Sequence, residues 1–229
     1  MTLIEACPGP VIHLASVTST QDVARELVED HKPVGVVIAD EQTSGRGRLG
    51  RKWLTGPGDS LTASFVFNRF PPLEPFLVGM KMAVIAAGVV SAALQWPNDI
   101  ILNNRKVGGV LGEVVGASLI IGLGINLHQQ QFPTEIAERA TSITLERSCA
   151  PTAEHLLDKI LERMESEPMP QGWADIQVAW GLRDATPGKQ YRLADGRIVT
   201  AVWVTDKGEL MCRTDTGMIT VTSADALRY

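Results

Sequence analysis

Residues 34–67 read VGVVIADEQTSGRGRLGRKWLTGPGDSLTASFVF, and this stretch decides how the chain folds. Residues 34–39 form a continuous apolar run between turn-forming residues, a pattern typical of a buried strand. In residues 60–67 the apolar side chains alternate at Leu61, Ala63, Phe65 and Phe67, which predicts a half-buried strand. A long loop rich in glycine and arginine joins the two. The stretch therefore predicts two sheet strands with a basic loop between them.

Helices are predicted on both sides of this stretch. Ser19 or Thr20 is placed to cap a helix that runs to about residue 30, with Asp22 in a capping-box-like position. The apolar side chains that this helix would bury are Val23, Ala24, Leu27 and Val28. Three more helices are predicted: an alanine-rich one over residues 77–90, an amphipathic one capped by Thr152, and another near residues 173–180.

The rest of the pattern is that of β-hairpins. Asn103-Asn104 predicts a tight turn because asparagine tolerates positive φ, and residues 107–115 and 119–127 predict strands around a Gly116-Ala117 turn. After residue 183, short strands alternate with glycine-containing turns, which suggests a small barrel of about five strands. The turns are Pro187-Gly188, Asp195-Gly196, Lys207-Gly208 and Thr216-Gly217. The sequence thus predicts an α+β chain with a C-terminal β module.

Composition narrows the class of protein. The 229 residues suit one large domain, or one domain with a small one appended, and 45% hydrophobic with 21% charged residues is ordinary for a globular chain. A net charge of −5 argues against general binding to nucleic acid or anionic membranes. No signal peptide is apparent, and the most apolar stretch, residues 84–94, is too short to span a bilayer. Cys7, Cys149 and Cys212 are interpreted as reduced structural thiols of a cytoplasmic protein.

The loop at residues 45–53, GRGRLGRKW, is the first segment suited to chemistry. Glycine lets backbone amides approach an anion closely, and guanidinium groups bind phosphate or carboxylate bidentately. Arg46, Arg48, Arg51 and Lys52 therefore suit a polyanion such as ATP, although a solvated basic loop is the alternative for this segment alone.

Three further segments carry polar or basic groups beside glycine or proline. In QWPND, residues 95–99, Asp99 is placed to help hold Mg²⁺, and an ordinary turn is the alternative. In KVGGVLGE, residues 106–113, Lys106 is placed to neutralise charge in a transition state, and an exposed hairpin lysine is the alternative. In IGLGINL, residues 121–127, the glycines leave room beside a strand that ends in Asn126, and a bulged strand is the alternative.

In this order the four segments resemble the catalytic domain of biotin–protein ligases. The family's GRGRxGRxW loop is matched at every fixed position of residues 45–53, its WPND at 96–99, its KxxGxLxE at 106–113 and its GxGxN at 122–126. Its STN turn corresponds to residues 19–21, Ser-Thr-Gln. Residues 131–133 and 140–142 are similar to later landmarks. The resemblance is close over about residues 16–145 and looser over the C-terminal module.

This resemblance implies a mixed-sheet catalytic domain flanked by helices over residues 1–183 and a small SH3-like barrel over residues 184–229. The implied reaction forms biotinyl-5'-AMP from biotin and ATP and then transfers biotin to a lysine of a biotin carboxyl carrier domain. ATP and Mg²⁺ would be co-substrate and activator, with no tightly bound prosthetic group. Only 18 residues precede Ser19, too few for a helix-turn-helix domain, so no DNA binding is expected. A monomer or a homodimer is expected.

The resemblance also assigns roles by position. Lys106 and Arg48 are the expected catalytic residues, and Asp99 is the expected magnesium ligand. The residues expected to bind biotin are Ser19, Thr20, Gln21, Gln42, Gly45, Arg46, Gly47, Arg48, Lys106, Gly108 and Gly122. Those expected to bind the nucleotide are Arg46, Arg48, Arg51, Trp53, Asn98, Lys106 and Asn126, with Trp53 either near adenine or packing the loop.

Several positions depart from the family pattern. Gln95 stands where the family usually has lysine or arginine, which removes a positive charge from the wall of the site, and Gln21 replaces the common asparagine. The stretch before Trp96 is shorter than usual, and the link from Glu113 to Ile121 is tight. Two alternatives stay open: a ligase of the same superfamily that acts on lipoate or another acyl chain, and a biotin-binding relative with weak or no catalysis.

Overall fold

The computed structural model describes residues 1–71 and 75–222. The helices, in chain order, are α1 (Leu3–Ala6), α2 (Thr20–Glu29), α3 (Pro75–Val89), α4 (Ile143–Arg147), α5 (Ala153–Ser166) and α6 (Gln177–Gly181). The strands are β1 (Val11–Val17), β2 (Val36–Gln42), β3 (Gly45–Arg46), β4 (Lys52–Trp53), β5 (Ser60–Phe67), β6 (Ala93–Gln95), β7 (Asp99–Leu102), β8 (Arg105–Val115), β9 (Ser118–Asn126), β10 (Gln190–Arg192), β11 (Ile198–Val204), β12 (Leu210–Thr214) and β13 (Gly217–Val221).

The main sheet has seven strands in the order β1-β2-β5-β9-β8-β7-β6. Strands β1 and β2 pair in parallel and the remaining neighbours are antiparallel, so the sheet is mixed. Helix α2 packs against β2, β5 and β9, while α3 and α5 pack together, α5 against β5 and α3 against β6, β7, β8 and β9. This arrangement confirms the predicted α+β class and the mixed catalytic sheet.

Strand β5 lies inside this sheet, between β2 and β9, and one prediction about it is wrong. Its apolar alternation is as expected, but all eight residues are buried, so the strand is not half-buried. Leu61, Phe65 and Phe67 belong to the main apolar core, whereas Val66 belongs to a smaller cluster with Ala24 of α2. The second face of β5 is therefore covered as well, because α2 and the neighbouring pocket wall close over it.

Helix α2 begins where the sequence predicts, and its predicted apolar face packs in one small core cluster in which Ala24 is fully buried. The Ser19 hydroxyl accepts a hydrogen bond from the backbone amide of Gln21, which caps the helix. The expected capping box is absent, because Asp22 binds an arginine instead. Thr20, Gln21 and Ala24 are the buried residues of α2, while the predicted Val23, Leu27 and Val28 are only partly buried.

One predicted turn is confirmed, and the helix predicted near residues 173–180 is interrupted. Asn103 and Asn104 both have positive φ, 48° and 63°, as the tight turn between β7 and β8 requires. The expected helix near residues 173–180 is divided into a 3₁₀ turn, Trp173–Asp175, and helix α6. The break lies at Ile176, whose φ of −120° is not helical.

The C-terminal module is a four-stranded antiparallel sheet in the order β10-β11-β12-β13. Within residues 190–222 these strands do not close into a barrel, and the expected fifth strand is not among them; residues 223–229 lie outside the described residues. Trp96 joins the module to the main sheet, since its indole Nε1 donates to the Gly208 carbonyl at 2.9 Å. Buried Tyr191 and Leu210 belong to the same core as Trp96. The domain boundary at residue 184 stays a prediction.

The cysteines and the helices bear on two further expectations. Cys7, Cys149 and Cys212 are free thiols, with Cys149 exposed. Burial raises the pKa of Cys7 to about 12 and that of Cys212 to about 11, so both stay protonated at neutral pH. In the part of the chain that the structure describes, no helix combines the length and the apolar character needed to cross a membrane.

Candidate active site

A pocket of about 340 Å³ opens beside the sheet, between the start of α2, the loop at residues 45–53 and strands β5, β7, β8 and β9. The structure brings most of the predicted site residues together in its lining: Ser19, Thr20, Gln21, Gln42, Arg46, Gly47, Arg48, Arg51, Trp53, Asn98, Asp99, Lys106, Gly122 and Asn126. The four segments singled out in the sequence therefore converge on one cavity.

Two predicted glycines do not line the pocket, although each is needed nearby. A Cβ at Gly45 would lie 2.5 Å from the Trp53 carbonyl oxygen, so Gly45 lets the two sides of the loop approach. A Cβ at Gly108 would lie 2.7 Å from the Gly124 carbonyl oxygen, so Gly108 serves the pairing of β8 with β9. Gly109, the next residue, lines the pocket instead.

One end of the pocket is a buried polar floor. Thr20 donates to the Gln42 side-chain oxygen through its backbone N, at 2.8 Å, and through its hydroxyl, at 3.1 Å. The same hydroxyl lies 2.9 Å from Ser64 Oγ. Thr20, Gln42 and Ser64 are all buried. Because buried polar groups need partners, this network fixes the side chains at the start of α2 against β2 and β5.

Gln21 completes the floor through a glycine. Its side-chain oxygen accepts from Ser64 Oγ at 3.1 Å, and its amide nitrogen donates to the Ile120 carbonyl at 3.3 Å. A Cβ at Gly122 would lie only 2.7 Å from Gln21 Oε1. Gly122 therefore makes room for a side chain longer than the asparagine common in the family.

Sequence reasoning missed Ser64 and Thr62, which also line this floor. Both lie on β5, on the face opposite its large apolar side chains. The signal was present in the alternation of residues 60–64, where Ser60, Thr62 and Ser64 alternate with apolar side chains. A fully buried strand with one polar face indicates a site or a partner on that face.

At the other end of the pocket, Lys106 is held in place. Its Nζ lies 2.5 Å from Asp99 Oδ1, and its aliphatic stem runs past Gly109, where an added Cβ would lie 3.2 Å from it. The backbone of Lys106 donates to the Arg139 carbonyl at 2.7 Å and accepts from Thr141 at 2.9 Å. Lys106 therefore keeps 37% of its side chain exposed, while a carboxylate and two backbone hydrogen bonds fix its position; its catalytic role stays a prediction.

A β-bulge directs Lys106 toward the cavity. The register of β7 and β8 shifts between Ile100 and Ile101, which pair with Gly108 and Lys106, so Val107 is the extra residue. Val107 points into the apolar core and is fully buried, while Lys106 lines the pocket. The bulge thus places a charged and an apolar neighbour on opposite sides of the sheet.

Arg48 and Asn98 connect the loop to the sheet beside Lys106. Arg48 Nη1 donates to Asn98 Oδ1 at 3.0 Å, and Asn98 Nδ2 donates to the Val110 carbonyl at 2.5 Å. Arg48 is therefore oriented by a side chain that is itself fixed on β8. With Lys106 and Arg51 it gives the pocket lining three basic side chains, against the one carboxylate of Asp99 among the described lining residues.

Arg46 is placed differently from its neighbours. Its Nη1 lies 2.5 Å from Asp22 Oδ1 and 3.8 Å from Glu113 Oε2. The guanidinium thus contacts two carboxylates at the rim of the pocket. Its expected contact with a phosphate is a prediction that these distances leave untested.

Trp53 packs the loop onto the sheet, which is one of the two alternatives drawn from the sequence. A Cβ at Gly124 would lie 2.6 Å from the indole, so the ring rests directly on that glycine. Its Nε1 is buried and, among the described residues, has no hydrogen-bond partner. An unpaired buried N–H is costly, and an acceptor on a bound ligand would satisfy it.

Asn126 and Gln95 complete the lining. Asn126 Nδ2 donates to the Thr141 carbonyl at 2.9 Å, and its Oδ1 accepts from Gln129 at 3.3 Å, so it holds the segment that carries the Lys106 backbone contacts. Gln95 pairs in register with Asp99 across β6 and β7. A neutral side chain therefore stands on the pocket wall close to the lysine.

The fold and this pocket define the chain as a protein ligase. A family model described as "Biotin/lipoate A/B protein ligase family" matches residues 13–129, 117 of the 229 residues. The chain belongs to the biotin/lipoate A/B protein ligase family.

Curated relatives and solved structures agree with this membership. The bifunctional ligase/repressor BirA of Bacillus spizizenii is 31% identical over 94% of this chain and 73% of its own length. The biotin–[acetyl-CoA-carboxylase] ligase of Mycobacterium tuberculosis is 26% identical over 84% of this chain and 78% of its own. The biotin protein ligase of Aquifex aeolicus in complex with biotin and ATP is 29% identical, with a TM-score of 0.77 over 95% of this chain and 98% of its own.

Proposed function

We propose that this protein forms biotinyl-5'-AMP from biotin and ATP and then transfers the biotinyl group to a lysine of a biotin carboxyl carrier domain. One observation carries the proposal: a single cavity has a buried polar floor at one end and a cluster of positive side chains at the other. A bicyclic urea with an acidic tail matches that division. The relatives named for biotin, and the related structure that holds biotin and ATP, support the same substrates.

The polar floor suits the urea of biotin. A urea needs donors for its carbonyl and acceptors for its two N–H groups, and hydroxyl and amide side chains supply both. Thr20, Gln42 and Ser64 offer such groups from positions that their mutual hydrogen bonds already fix. Ser19 offers another, and its hydroxyl is held by the backbone amide of Gln21. Apolar side chains of the lining, among them Ile101 and Leu123, would contact the aliphatic part of the ligand. A lipoyl group has no urea, so this floor favours biotin.

The positive end suits the first chemical step. A carboxylate oxygen of biotin attacks the α-phosphorus of ATP, the bond from that phosphorus to the bridging oxygen breaks, and pyrophosphate leaves. Negative charge grows on the phosphoryl oxygens, and cations fixed in advance stabilise it without rearranging. Lys106 and Arg48 would supply these cations. Asp99 holds Lys106 in one place, and Asn98 holds Arg48.

The second step needs little beyond positioning. The uncharged amine of the carrier lysine attacks the carbonyl carbon of the mixed anhydride, AMP leaves, and the amine loses a proton to the surrounding water. Until then the anhydride must be kept from hydrolysis, and a loop packed over the pocket excludes water. The loop at residues 45–53 has this position through Trp53 and Arg48.

Magnesium does not fit as a protein-held ion in this pocket. Among the described lining residues Asp99 is the one carboxylate, and it is engaged by Lys106 at 2.5 Å. We therefore give Asp99 the role of fixing Lys106 in place of the expected role of metal ligand. Mg²⁺ that accompanies ATP would be bound mainly by phosphate oxygens and water.

Two alternatives are separated by one experiment. A lipoate or other acyl ligase would release pyrophosphate with that acid in place of biotin. A biotin-binding relative without catalysis, which the neutral Gln95 on the pocket wall favours, would bind biotin and release none. We expect pyrophosphate release from ATP and Mg²⁺ that depends on biotin and that lipoate does not replace. Binding of biotin without any release would contradict the proposed function.

A further inference from the structure

Four charged side chains form a closed ring at the rim of the pocket. Arg46 of the loop lies 2.5 Å from Asp22 and 3.8 Å from Glu113. Arg25 Nη2 donates to both carboxylate oxygens of Glu113, at 2.6 and 2.8 Å, and Arg25 Nε donates to one of them at 3.1 Å. Arg25 also lies 3.4 Å from Asp22. The signs alternate around the ring: Asp22, Arg46, Glu113, Arg25. The ring joins three parts of the chain, since Asp22 and Arg25 belong to α2, Glu113 to β8 and Arg46 to the loop.

The loop has little support of its own. In the described chain, β3 and β4 have two residues each and pair with each other, apart from the main sheet. Side chains therefore attach this loop to the body of the protein. The end of the loop is attached by Trp53, which packs on Gly124, and the middle by Arg48, which donates to Asn98. The beginning of the loop is attached by Arg46, which binds the charged ring.

Within the ring the two arginines compete for Glu113. Arg25 has both oxygens of Glu113 within 2.8 Å, whereas Arg46 lies 3.8 Å from the nearer one. The hydrogen bond to Glu113 is also the main reason why the pKa of Arg25 is raised. Asp22 is consequently the principal partner of Arg46. Loss of Arg25 would free Glu113 for Arg46, whereas loss of Asp22 would leave Arg46 with its weaker contact.

We propose that Asp22, Arg25 and Glu113 are positioning residues, a latch that holds Arg46 and sets how often the loop opens and how fast a bound adenylate leaves. Asp22 closes the latch and Arg25 weakens it by drawing Glu113 away. The part concerning the adenylate rests on the proposed function. The part concerning the loop does not, because it follows from the contacts of this chain alone.

The loop is tested by hydrogen exchange of the amides of residues 46–52, measured by mass spectrometry without substrates. Asp22→Asn should speed their exchange about threefold to fivefold, in the range that a partly exposed charged pair contributes. Arg25→Gln should slow it by about twofold, because Glu113 then turns to Arg46. High salt should speed the exchange of the unsubstituted protein. Glu162→Gln, which breaks the exposed Lys159–Glu162 pair on α5, is the matched control and should change nothing.

A latch predicts faster hydrogen exchange of the loop in Asp22→Asn and slower exchange in Arg25→Gln, whereas general loosening of α2 predicts faster exchange in both variants. Equal acceleration in both variants, or no change in either, would overturn the latch whatever the enzyme does. The release of preformed biotinyl-5'-AMP should follow the same order of rates. Changed exchange with equal release in all variants would overturn the role in retention. If the unsubstituted protein forms no adenylate at all, the proposed function fails, and the exchange experiment still decides the latch.

Discussion

Asp99 and Lys106 show how a residue's role depends on what surrounds it. A carboxylate beside a nucleotide pocket suggests a metal ligand, yet its nearest charge here is the ammonium group of Lys106. Lys106 is in turn fixed by a bulge, by Gly109 and by backbone bonds to residues 139 and 141. A cation with one permitted position stabilises developing charge better than one that must first be ordered.

The first prediction concerns Asp99→Asn. The amide keeps the shape of the side chain and removes the charge that holds Lys106, so adenylate formation should slow by about tenfold, less than the loss expected for removing a charged donor outright. The affinity for biotin should stay the same, because the polar floor is at the other end of the pocket. Single-turnover kinetics and calorimetry measure the two quantities. A strict requirement of Asp99 for Mg²⁺ affinity would show that the metal role was correct after all.

The second prediction concerns Gly122. A methyl group at residue 122 would displace Gln21 Oε1, which lies 2.7 Å from the Cβ position. Gly122→Ala should therefore weaken biotin binding by about tenfold, the effect of leaving one buried polar group poorly paired, at roughly 1–3 kcal/mol. Gly181→Ala is the matched control, since nothing lies within 4 Å of its added Cβ. Biotin affinity is measured by calorimetry. Equal affinity in both variants would show that Gln21 does not contribute to biotin binding.

At the scale of elements, what the sequence could predict depends on whether the cause was local. The cap of α2 at Ser19 and the Asn103-Asn104 turn depend on neighbouring residues, and both predictions are confirmed. The burial of β5 depends on α2 folding over it, which no alternation within residues 60–67 contains. The pairing of Asp22 with Arg46 joins residues that are 24 apart, so the local pattern suggested a capping box instead.

The same distinction applies to the candidate site. The motif segments identified the pocket because each carries its unusual residues together, as at residues 45–53 and 106–113. Ser64 was missed because the polar face of residues 60–64 looks like the solvent side of a half-buried strand until its contacts with Thr20 and Gln21 are seen. The C-terminal module was predicted as a barrel from its turns. Turn residues indicate where strands end, but they do not show whether the first and last strands pair with each other, which barrel closure requires.

The third prediction concerns the C-terminal module as an element. None of its described residues, 184–222, lines the pocket. Hydrogen bonds nevertheless join it to the main sheet: Trp96 donates to Gly208 and Thr186, and Leu94 accepts from Ala185. A chain ending at residue 183 should lose several kcal/mol of stability, since it exposes part of a shared core, at about 25 cal/mol per Å². Where it stays folded by circular dichroism, it should bind biotin with unchanged affinity. A folded truncation that no longer binds biotin would contradict this, and with it the separation of the two parts.

At the scale of the whole molecule, the loop at residues 45–53 couples the two ends of the pocket. It begins beside the polar floor, where Gly45 lies against Gln42, and it passes Asn98 at the positive end. A ligand at the floor that stabilises the start of the loop would also order Arg48. Binding at one end should then favour binding at the other, because both draw on the same ordered loop.

The fourth prediction is an order of binding, biotin before ATP. Ordering the glycine-rich loop over biotin completes the site for the phosphates, so ATP should bind at least about tenfold more tightly when biotin is present, a coupling of ordinary size. By linkage, ATP must raise the affinity for biotin by the same factor. Calorimetric titration of ATP with and without a non-reactive biotin analogue measures this. Equal ATP affinities in the two titrations would show that the ends of the pocket are independent.

The central claim is that the cavity forms an adenylate with Lys106 at its reactive centre. The measurement is the single-turnover rate of pyrophosphate release, with biotin affinity measured in parallel, for the unsubstituted protein and Lys106→Ala. Lys32→Ala, which breaks the exposed Lys32–Asp30 pair and removes a residue that does not line the pocket, is the control. We expect Lys106→Ala to release pyrophosphate about a hundredfold to a thousandfold more slowly and to bind biotin normally. A near-normal rate of release would contradict the claim, since a lysine that matters so little does not face the transition state.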